Sequence, residues 1–307
     1  MKRTRAKPAG AKRIDTSWNR VAGWYAGLLA GEGTYQKDLI LPNLVRLMDI
    51  QPGDAVLDLA CGPGFFAREF AARGARVTGV DASQKLIDAA RREEQSTDAI
   101  SPGGGPSTAR ASAVSSRAAL RFFVARAHRL PFLKNGSMQK ISIVLAVQNI
   151  ENVGEVFAEC ARVLGPAGEI AIVMNHPAFR VPKQSAWGWD AELGIQFRRV
   201  DRYLSELKAE IEMHPGVKAA GRRAAEQTVS FHRPLQYYVK ALRRAGFAVT
   251  ALEEWNSNRK SSPGPRAAAE DRARKEIPLF LAMIGKKSDD RTFSASPRSV
   301  SGGYCGN

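Results

Sequence analysis

The chain has 307 residues, 44% of them hydrophobic and 25% charged, and a formal net charge of +16. This length and composition suit one large α/β domain or at most two small ones. No apolar run approaches the roughly 20 residues that cross a bilayer, and the first 30 residues lack the apolar stretch of a secretory signal. We therefore expect a soluble, cytoplasmic protein without a membrane partner; an organellar address in the basic N-terminus is the alternative.

An N-terminal helical cover is predicted first in chain order. Residues 16–50 repeat apolar side chains at spacings near three and four. Beyond them, short apolar runs alternate with helical patterns through residue 286. This alternation predicts a doubly wound α/β domain over residues 16–286, with a seven-stranded, mostly parallel sheet. The predicted strands are residues 55–59, 75–80, 120–124, 140–147, 169–174, 247–252 and 277–284, and the predicted helices between them are 65–73, 83–92, 153–164 and 235–245.

Four segments fall outside this alternation. Residues 1–13 carry six Lys/Arg and no acid, and the excess positive charge is also concentrated in 91–129 and 255–307. We predict a disordered basic arm at 1–15, a flexible insertion at about 95–118, an acceptor lid at about 175–232 and a disordered tail at 287–307. The basic segments are typical either of contacts to RNA phosphates or of solubilising or targeting sequences.

Metal and disulfide chemistry are not expected. The three cysteines share no CxxC spacing, and the four histidines never pair at a ligand spacing such as HxxxH.

The strongest functional signal is VLDLACGPG at residues 56–64, between a predicted strand and a predicted helix. Gly62 and Gly64 allow a sharp turn and a close backbone approach to a ligand. Asp81 follows the next strand, 19 positions after Gly62, where a carboxylate can accept both hydroxyls of an adenosine ribose. The pattern also fits a looser dinucleotide motif. Asp58 favours S-adenosylmethionine, because a carboxylate there attracts a cationic amino group and repels a pyrophosphate.

These residues resemble the class I S-adenosylmethionine-dependent methyltransferases, in particular the ubiquinone-biosynthesis-like branch with a type 11 methyltransferase domain. VTGVDAS at 77–83, RVLGPAG at 162–168 and LRRAGF at 242–247 are similar to further motifs of that family. The resemblance covers about residues 18–286 and implies a Rossmann-like sheet with an antiparallel last strand. It implies that Asp58, Gly62 and Gly64 hold the methionine end of the cofactor. In full, the expected cofactor-binding residues are Asp58, Leu59, Ala60, Cys61, Gly62, Gly64, Asp81, Ala82, Ala127 and Ala146.

One position departs from the family. Arg126-Ala127 stands where the family has Asp-Ala before a Leu-Pro-Phe segment, here Leu130-Pro131-Phe132. The usual Asp lies near adenine, so this change leaves a non-catalytic assembly factor as an alternative.

Candidates for methyl transfer are harder to find, because the reaction needs alignment and shielding more than a fixed set of groups. His176 and His232 are candidate general bases, with a structural role as the alternative. Asn149 completes the catalytic set. Trp187 and Trp189 suit stacking on a planar substrate or anchoring a lid. The expected substrate-binding residues are Tyr25, Tyr35, Gln148, Asn175, Trp187 and Trp189.

The sequence therefore predicts an S-adenosylmethionine-dependent methyltransferase that acts on a small, planar organic acceptor. The main alternative is an RNA methyltransferase acting on rRNA or tRNA, or a methyltransferase-like ribosome assembly factor. A nicotinamide oxidoreductase ranks last.

Overall fold

The computed structural model describes residues 16–99, 120–213 and 227–288. The predicted arm at 1–15 lies outside these ranges, as do most of the predicted insertion and tail, so these expectations stay predictions. The helix after the second strand extends through Ala99, so the first residues of the predicted insertion are helical.

Eleven strands are present in the described residues. In chain order they are β1 (Ala55–Leu59), β2 (Arg76–Asp81), β3 (Leu120–Val124), β4 (Met138–Val144), β5 (Leu164–Asn175), β6 (Ser185–Asp190), β7 (Ile195–Val200), β8 (Leu207–Glu212), β9 (Gln227–His232), β10 (Phe247–Trp255) and β11 (Phe280–Lys287).

The described α-helices alternate with these strands. They are α1 (Trp18–Ala30), α2 (Leu41–Met48), α3 (Phe65–Ala71), α4 (Gln84–Ala99), α5 (Val153–Val163), α6 (Leu235–Arg244) and α7 (Ala267–Glu276). A short π-helix (Gln36–Ile40) precedes α2, and a 3-10 turn (Val147–Asn149) follows β4.

Seven strands form one sheet in the order β10-β11-β5-β4-β1-β2-β3. β11 pairs antiparallel with both β5 and β10, and the remaining neighbours are parallel. Hydrophobic clusters cover both faces: α5 and α6 pack on one, and α2, α3 and α4 on the other. The predicted doubly wound, mostly parallel seven-stranded sheet is confirmed.

The segment predicted as an acceptor lid contains structure that the sequence pattern did not reveal. β6 pairs with β7 and β8 pairs with β9, each pair forming a separate antiparallel two-stranded sheet. Helix α7 was also not predicted, and it packs against β7. These elements therefore lie beside the sheet rather than extending it.

Candidate functional site

The turn after β1 has the tight geometry that its glycines suggest. Gly62 and Gly64 adopt φ values of 56° and 80°, which favour glycine. A Cβ on Gly64 would lie 2.6 Å from the Phe122 ring, and one on Gly62 would lie 3.3 Å from Tyr25. The turn consequently keeps its backbone bare and leads directly into α3.

Asp81, at the end of β2, holds this turn in place. Its Oδ2 accepts a hydrogen bond from the Gly62 N–H at 2.9 Å, and its Oδ1 accepts one from the Ser83 N–H at 2.8 Å. Burial raises the pKa of Asp81 to about 6, against the opposing effect of these N–H donors. The Ala82 N–H also bonds to this carboxylate, which keeps acceptor capacity for a ligand hydroxyl.

Asp58 is more deeply buried than contact with a cofactor amino group requires. Its side chain is 1% exposed, and its Oδ1 accepts a hydrogen bond from the Ser142 hydroxyl at 2.8 Å. Among the described residues Oδ2 has no hydrogen-bond partner. Burial raises the pKa of Asp58 to about 7. The residue links β1 to β4 through Ser142, and its expected contact with a cofactor amino group stays a prediction.

A cavity of about 290 Å³ opens where the parallel strands end. Ligands of doubly wound sheets bind at this edge. The loops after β1, β2, β3 and β4 and the start of the N-terminal cover form its wall. The lining residues are Thr16, Trp18, Tyr25, Leu59, Ala60, Gly62, Val80, Asp81, Ala82, Leu86, Ala125, Arg126, Ala127, His128, Val144, Leu145, Ala146, Asn149, Ile150, Glu151 and Asn152.

Two lining residues have strained backbones. Ala60 and Leu145 adopt φ values of 59° and 53°, which cost a non-glycine residue about 1 kcal/mol or more. The Leu145 N–H donates to the Val173 carbonyl at 2.7 Å, which holds the turn after β4 against β5. Such strain is common at binding sites, and here it shapes two of the loops that frame the cavity.

Helix α1 closes the cavity from the N-terminal side. The Ser83 hydroxyl donates to the Asn19 side-chain oxygen at 2.7 Å, which ties α1 to the start of α4. Tyr25 lies over the Gly62 turn, and burial together with Asp81 and Asp58 raises its pKa to about 12, against a hydrogen bond with Gln36. The predicted helical cover therefore reaches the cavity through Tyr25.

The structure brings most of the predicted cofactor-binding residues to the cavity. Those that line it are Leu59, Ala60, Gly62, Asp81, Ala82, Ala127 and Ala146, whereas Asp58, Cys61 and Gly64 lie behind its wall. Arg126 is exposed and lines the cavity. Of the other candidates, Asn149 and Tyr25 also line the cavity.

The two predicted general bases lie outside the cavity lining. His176 is 3% exposed; its Nε2 lies 2.6 Å from the Glu254 carboxylate and its Nδ1 accepts from the Ala178 N–H at 3.2 Å. His232 is also buried, and its Nε2 lies 2.7 Å from the Tyr203 carbonyl oxygen. Because these buried rings are engaged in local contacts, the geometry favours the structural alternative for both.

The other predicted substrate residues are also absent from the lining. Asn175 is exposed at the end of β5, and Tyr35 bonds to the Ser257 hydroxyl at 2.7 Å. Trp187 and Trp189 face arginines, Arg198 at 5.2 Å and Arg266 at 4.6 Å. Gln148 donates from Nε2 to the Leu145 carbonyl at 2.8 Å, and its buried Oε1 has no partner in the described part of the chain.

Several lining residues were not predicted. Trp18 falls within the predicted helical cover, and His128 is one of the four histidines that have no ligand spacing. His128 lies two positions after Arg126, which replaces the family's Asp. The polar residues that follow β3 would therefore have included it. Glu151 and Asn152 follow the 3-10 turn. Two polar residues shortly after a buried strand are the sequence feature that could have identified them as lining residues.

The described residues contain no group of three or more His, Cys, Asp or Glu side chains placed to hold a metal ion. Across the same ranges, no helix has the length and apolar character needed to span a membrane.

Comparison with known proteins identifies the domain that carries this cavity. Residues 57–172 match a family described as a methyltransferase domain. The chain is 26% identical over 261 residues to the biotin biosynthesis bifunctional protein BioHC of Cellvibrio japonicus, covering 83% of this chain and 43% of that protein. It is 44% identical over 64 residues to a ubiquinone biosynthesis O-methyltransferase of Coxiella burnetii, covering 19% of this chain and 27% of the relative. These alignments span less than half of each relative.

A solved structure extends the likeness over the fold. The crystal structure of an S-adenosylmethionine-dependent methyltransferase from Mesorhizobium loti superposes with a TM-score of 0.57 at 26% identity, covering 82% of this chain and all of that one. S-adenosylmethionine is therefore the expected cofactor. The bare Gly62 turn and the acceptor oxygens of Asp81 at the cavity fit its nucleoside.

Proposed function

The chain carries a class I S-adenosylmethionine-dependent methyltransferase domain, and from this premise we propose that it transfers a methyl group to a small, planar organic acceptor. One observation carries the proposal: a cavity at the carboxyl ends of β1, β2 and β4, framed by the Gly62 turn and the Asp81 carboxylate. When bound, S-adenosylmethionine supplies an electrophilic methyl group.

Residues of this chain bind the cofactor and enclose the cavity. Asp81 offers acceptors to ribose hydroxyls, and the Gly62 backbone allows close approach. Trp18 and Tyr25 place aromatic rings over the cavity, with centroids 5.4 Å apart. These rings provide a wall against which a flat molecule stacks and from which water is displaced. Asn149 supplies a polar group at the same rim.

The proposed preference for a small acceptor rests on the relatives that the chain resembles, because the cavity of about 290 Å³ is assigned to the cofactor. The named relatives in biotin and ubiquinone biosynthesis support a small-molecule acceptor. The RNA alternative depends on the basic segments, of which the N-terminal one, residues 1–13, lies wholly outside the described residues.

A tritiated methyl-transfer assay on cell extract tests the proposal. The extract is separated into small-molecule, RNA and protein fractions after incubation with labelled S-adenosylmethionine. Label is expected among the small molecules, and Asp81→Asn should reduce it. Label in RNA alone would establish the alternative, with a filter-binding salt series, with and without residues 1–13, as its second test. No label in any fraction would favour the non-catalytic alternative.

A further inference from the structure

Three arginines outside the cofactor cavity converge from separate parts of the chain. Arg180 follows β5, Arg198 lies on β7 and Arg274 lies on α7. All three are partly buried: Arg198 bonds to Phe179, the neighbour of Arg180, and α7, which carries Arg274, packs against β7, which carries Arg198. Their positive charges act on one another at Arg180. Like charges brought together with reduced access to water repel, so this arrangement needs an explanation.

We propose that Arg180, Arg198 and Arg274 form a binding site for an anionic group, a carboxylate or a phosphate, of the methyl acceptor. The assignment to the acceptor rests on the proposed function, whereas the binding of an anion does not. Guanidinium groups suit both anions because their planar N–H donors match the spacing of the oxygens.

The protein holds two of the three side chains in fixed positions. Arg198 donates from Nε to the Phe179 carbonyl and from Nη2 to the Ser185 hydroxyl, each at 2.8 Å, and its guanidinium stacks on Trp187. Arg274 donates from Nε to the Ser261 hydroxyl at 3.1 Å. These contacts order the arginines before any ligand arrives, which lowers the entropic cost of binding.

Arg180 is the least satisfied of the three. Its buried Nε has no hydrogen-bond partner among the described residues. Burial and the charges of Arg198 and Arg274 lower its pKa to about 10. A buried guanidinium N–H without an acceptor is costly, and an anion would supply that acceptor.

Carboxylates of the described residues do not neutralise the cluster. None of them forms an ion pair with Arg180, Arg198 or Arg274. Asp271 lies near Arg274, and its pKa is lowered by hydrogen bonds with Ser261 and by Arg274. One partly screening carboxylate leaves the cluster with excess positive charge.

A short segment links this cluster to the cofactor cavity. Tyr35 lies close to Arg180, and the next residue, Gln36, bonds to Tyr25, which lines the cavity. The Tyr35 ring also packs on Phe280, which pairs with Asn175 at the end of β5. The cluster therefore lies near the carboxyl end of β5, at the same edge of the sheet as the cofactor cavity.

The test measures anion binding with inorganic phosphate and malonate, and uses sodium chloride at matched ionic strength as the reference. Binding is followed by calorimetry and by tryptophan fluorescence, because Arg198 stacks on Trp187. Arg180→Gln should weaken binding of one or both anions about tenfold or more. Arg199→Gln is the matched control: Arg199 neighbours Arg198 on β7, is 66% exposed and pairs with Asp201. It should leave affinity unchanged.

Folding is checked separately. Without anions, Arg180→Gln should melt no lower than the wild type, since it removes a repelled charge. Failure of the wild type to bind either anion, or equal weakening by Arg180→Gln and Arg199→Gln, overturns the site. S-adenosylmethionine affinity, measured in parallel, should be the same in all three proteins. Normal anion binding without methyl transfer to any acceptor would overturn the proposed function and the acceptor assignment, and would leave the anion site standing.

Discussion

Two buried carboxylates on neighbouring strands dominate the chemistry of the cavity edge. β1 and β2 pair in parallel, which places Asp58 opposite Gly79 and Asp81 just beyond the end of β1. Burial raises the pKa of both groups, to about 7 and about 6. An uncharged carboxyl is a poorer acceptor than a carboxylate, so their protonation should influence both ligand binding and stability.

Asp81→Asn is expected to weaken S-adenosylmethionine binding by about tenfold to a hundredfold, because an amide keeps one acceptor oxygen and turns the other into a donor. Wild-type affinity should also fall as the pH drops through about 6, where Asp81 takes up a proton. Titration calorimetry measures both effects. The control is Asp88→Asn on α4, where the carboxylate only accepts from Gln84 at 2.8 Å. Unchanged affinity in the Asp81 variant would refute the assignment.

Asp58→Asn should change the pH dependence of stability. The pKa of Asp58 is about 7 in the folded protein and about 3.9 in an unfolded chain. A raised folded pKa gives a contribution that is complete below about pH 4 and is lost as the pH rises through 7. Relative to wild type, the variant should gain about 2 kcal/mol in free energy of unfolding between pH 5 and pH 8. Urea unfolding measures this; parallel curves for the two proteins would contradict it.

Asp81 and Gly62 line the cavity, as the predicted roles require, whereas Asp58 does not, and strand geometry explains the difference. Residues of a strand alternate between the two faces of the sheet. Leu57 and Leu59 contribute to one hydrophobic cluster and Val56 to the other, so Asp58 shares the face of Val56 and bonds to Ser142 on β4. Which face carries the ligand depends on the loops above the sheet, which local patterns do not specify.

At the scale of elements, the turn between β1 and α3 is limited by contact with β3. Gly64 needs both a left-handed backbone and space, because the Phe122 ring occupies the position that a side chain would take. A substitution here therefore affects the packing of β3 as well as the turn.

Gly64→Ala should lower the free energy of unfolding by about 2 to 5 kcal/mol, since it adds a left-handed penalty to a steric clash. Gly53→Ala separates the left-handed backbone penalty from the steric clash. Gly53 has φ of 89°, but nothing lies within 4 Å of an added Cβ. That variant should lose only about 1 to 2 kcal/mol. Chemical denaturation of both proteins measures the difference. Equal losses would show that the Phe122 contact is unimportant.

The elements missed by sequence analysis share a physical property. β6, β7, β8 and β9 pair only within two-stranded sheets, and two large apolar residues of β7, Ile195 and Phe197, remain exposed. A strand without a fully buried face has little reason to alternate apolar and polar residues. Phe197 instead packs across the bare backbone of Gly188 on the paired strand. Such compensation between strands is invisible in a local pattern.

At the scale of the molecule, the cofactor cavity couples the N-terminal cover to the sheet. Helix α1 meets α4 through Asn19 and Ser83, and Tyr25 meets the Gly62 turn. A ligand held between these parts binds only the folded protein, so it should stabilise the whole domain.

S-adenosylmethionine at about a hundred times its dissociation constant should add about 2.7 kcal/mol to the free energy of unfolding. For a domain of this size the melting temperature should rise by about 5 to 10 °C. Differential scanning calorimetry measures the shift. NADH at the same concentration is the control and should give none. Stabilisation by NADH alone would support the dinucleotide interpretation of the glycine turn.

The position of β11 has a consequence for biosynthesis. β11 inserts between β5 and β10, although it is the last described element of the chain. A ribosome must therefore translate through Lys287 before the growing protein can cover the free edge of β5. Until then, β5 offers the unpaired backbone groups of residues 169–175, which are mostly apolar, the kind of edge that recruits neighbouring chains and that chaperones protect.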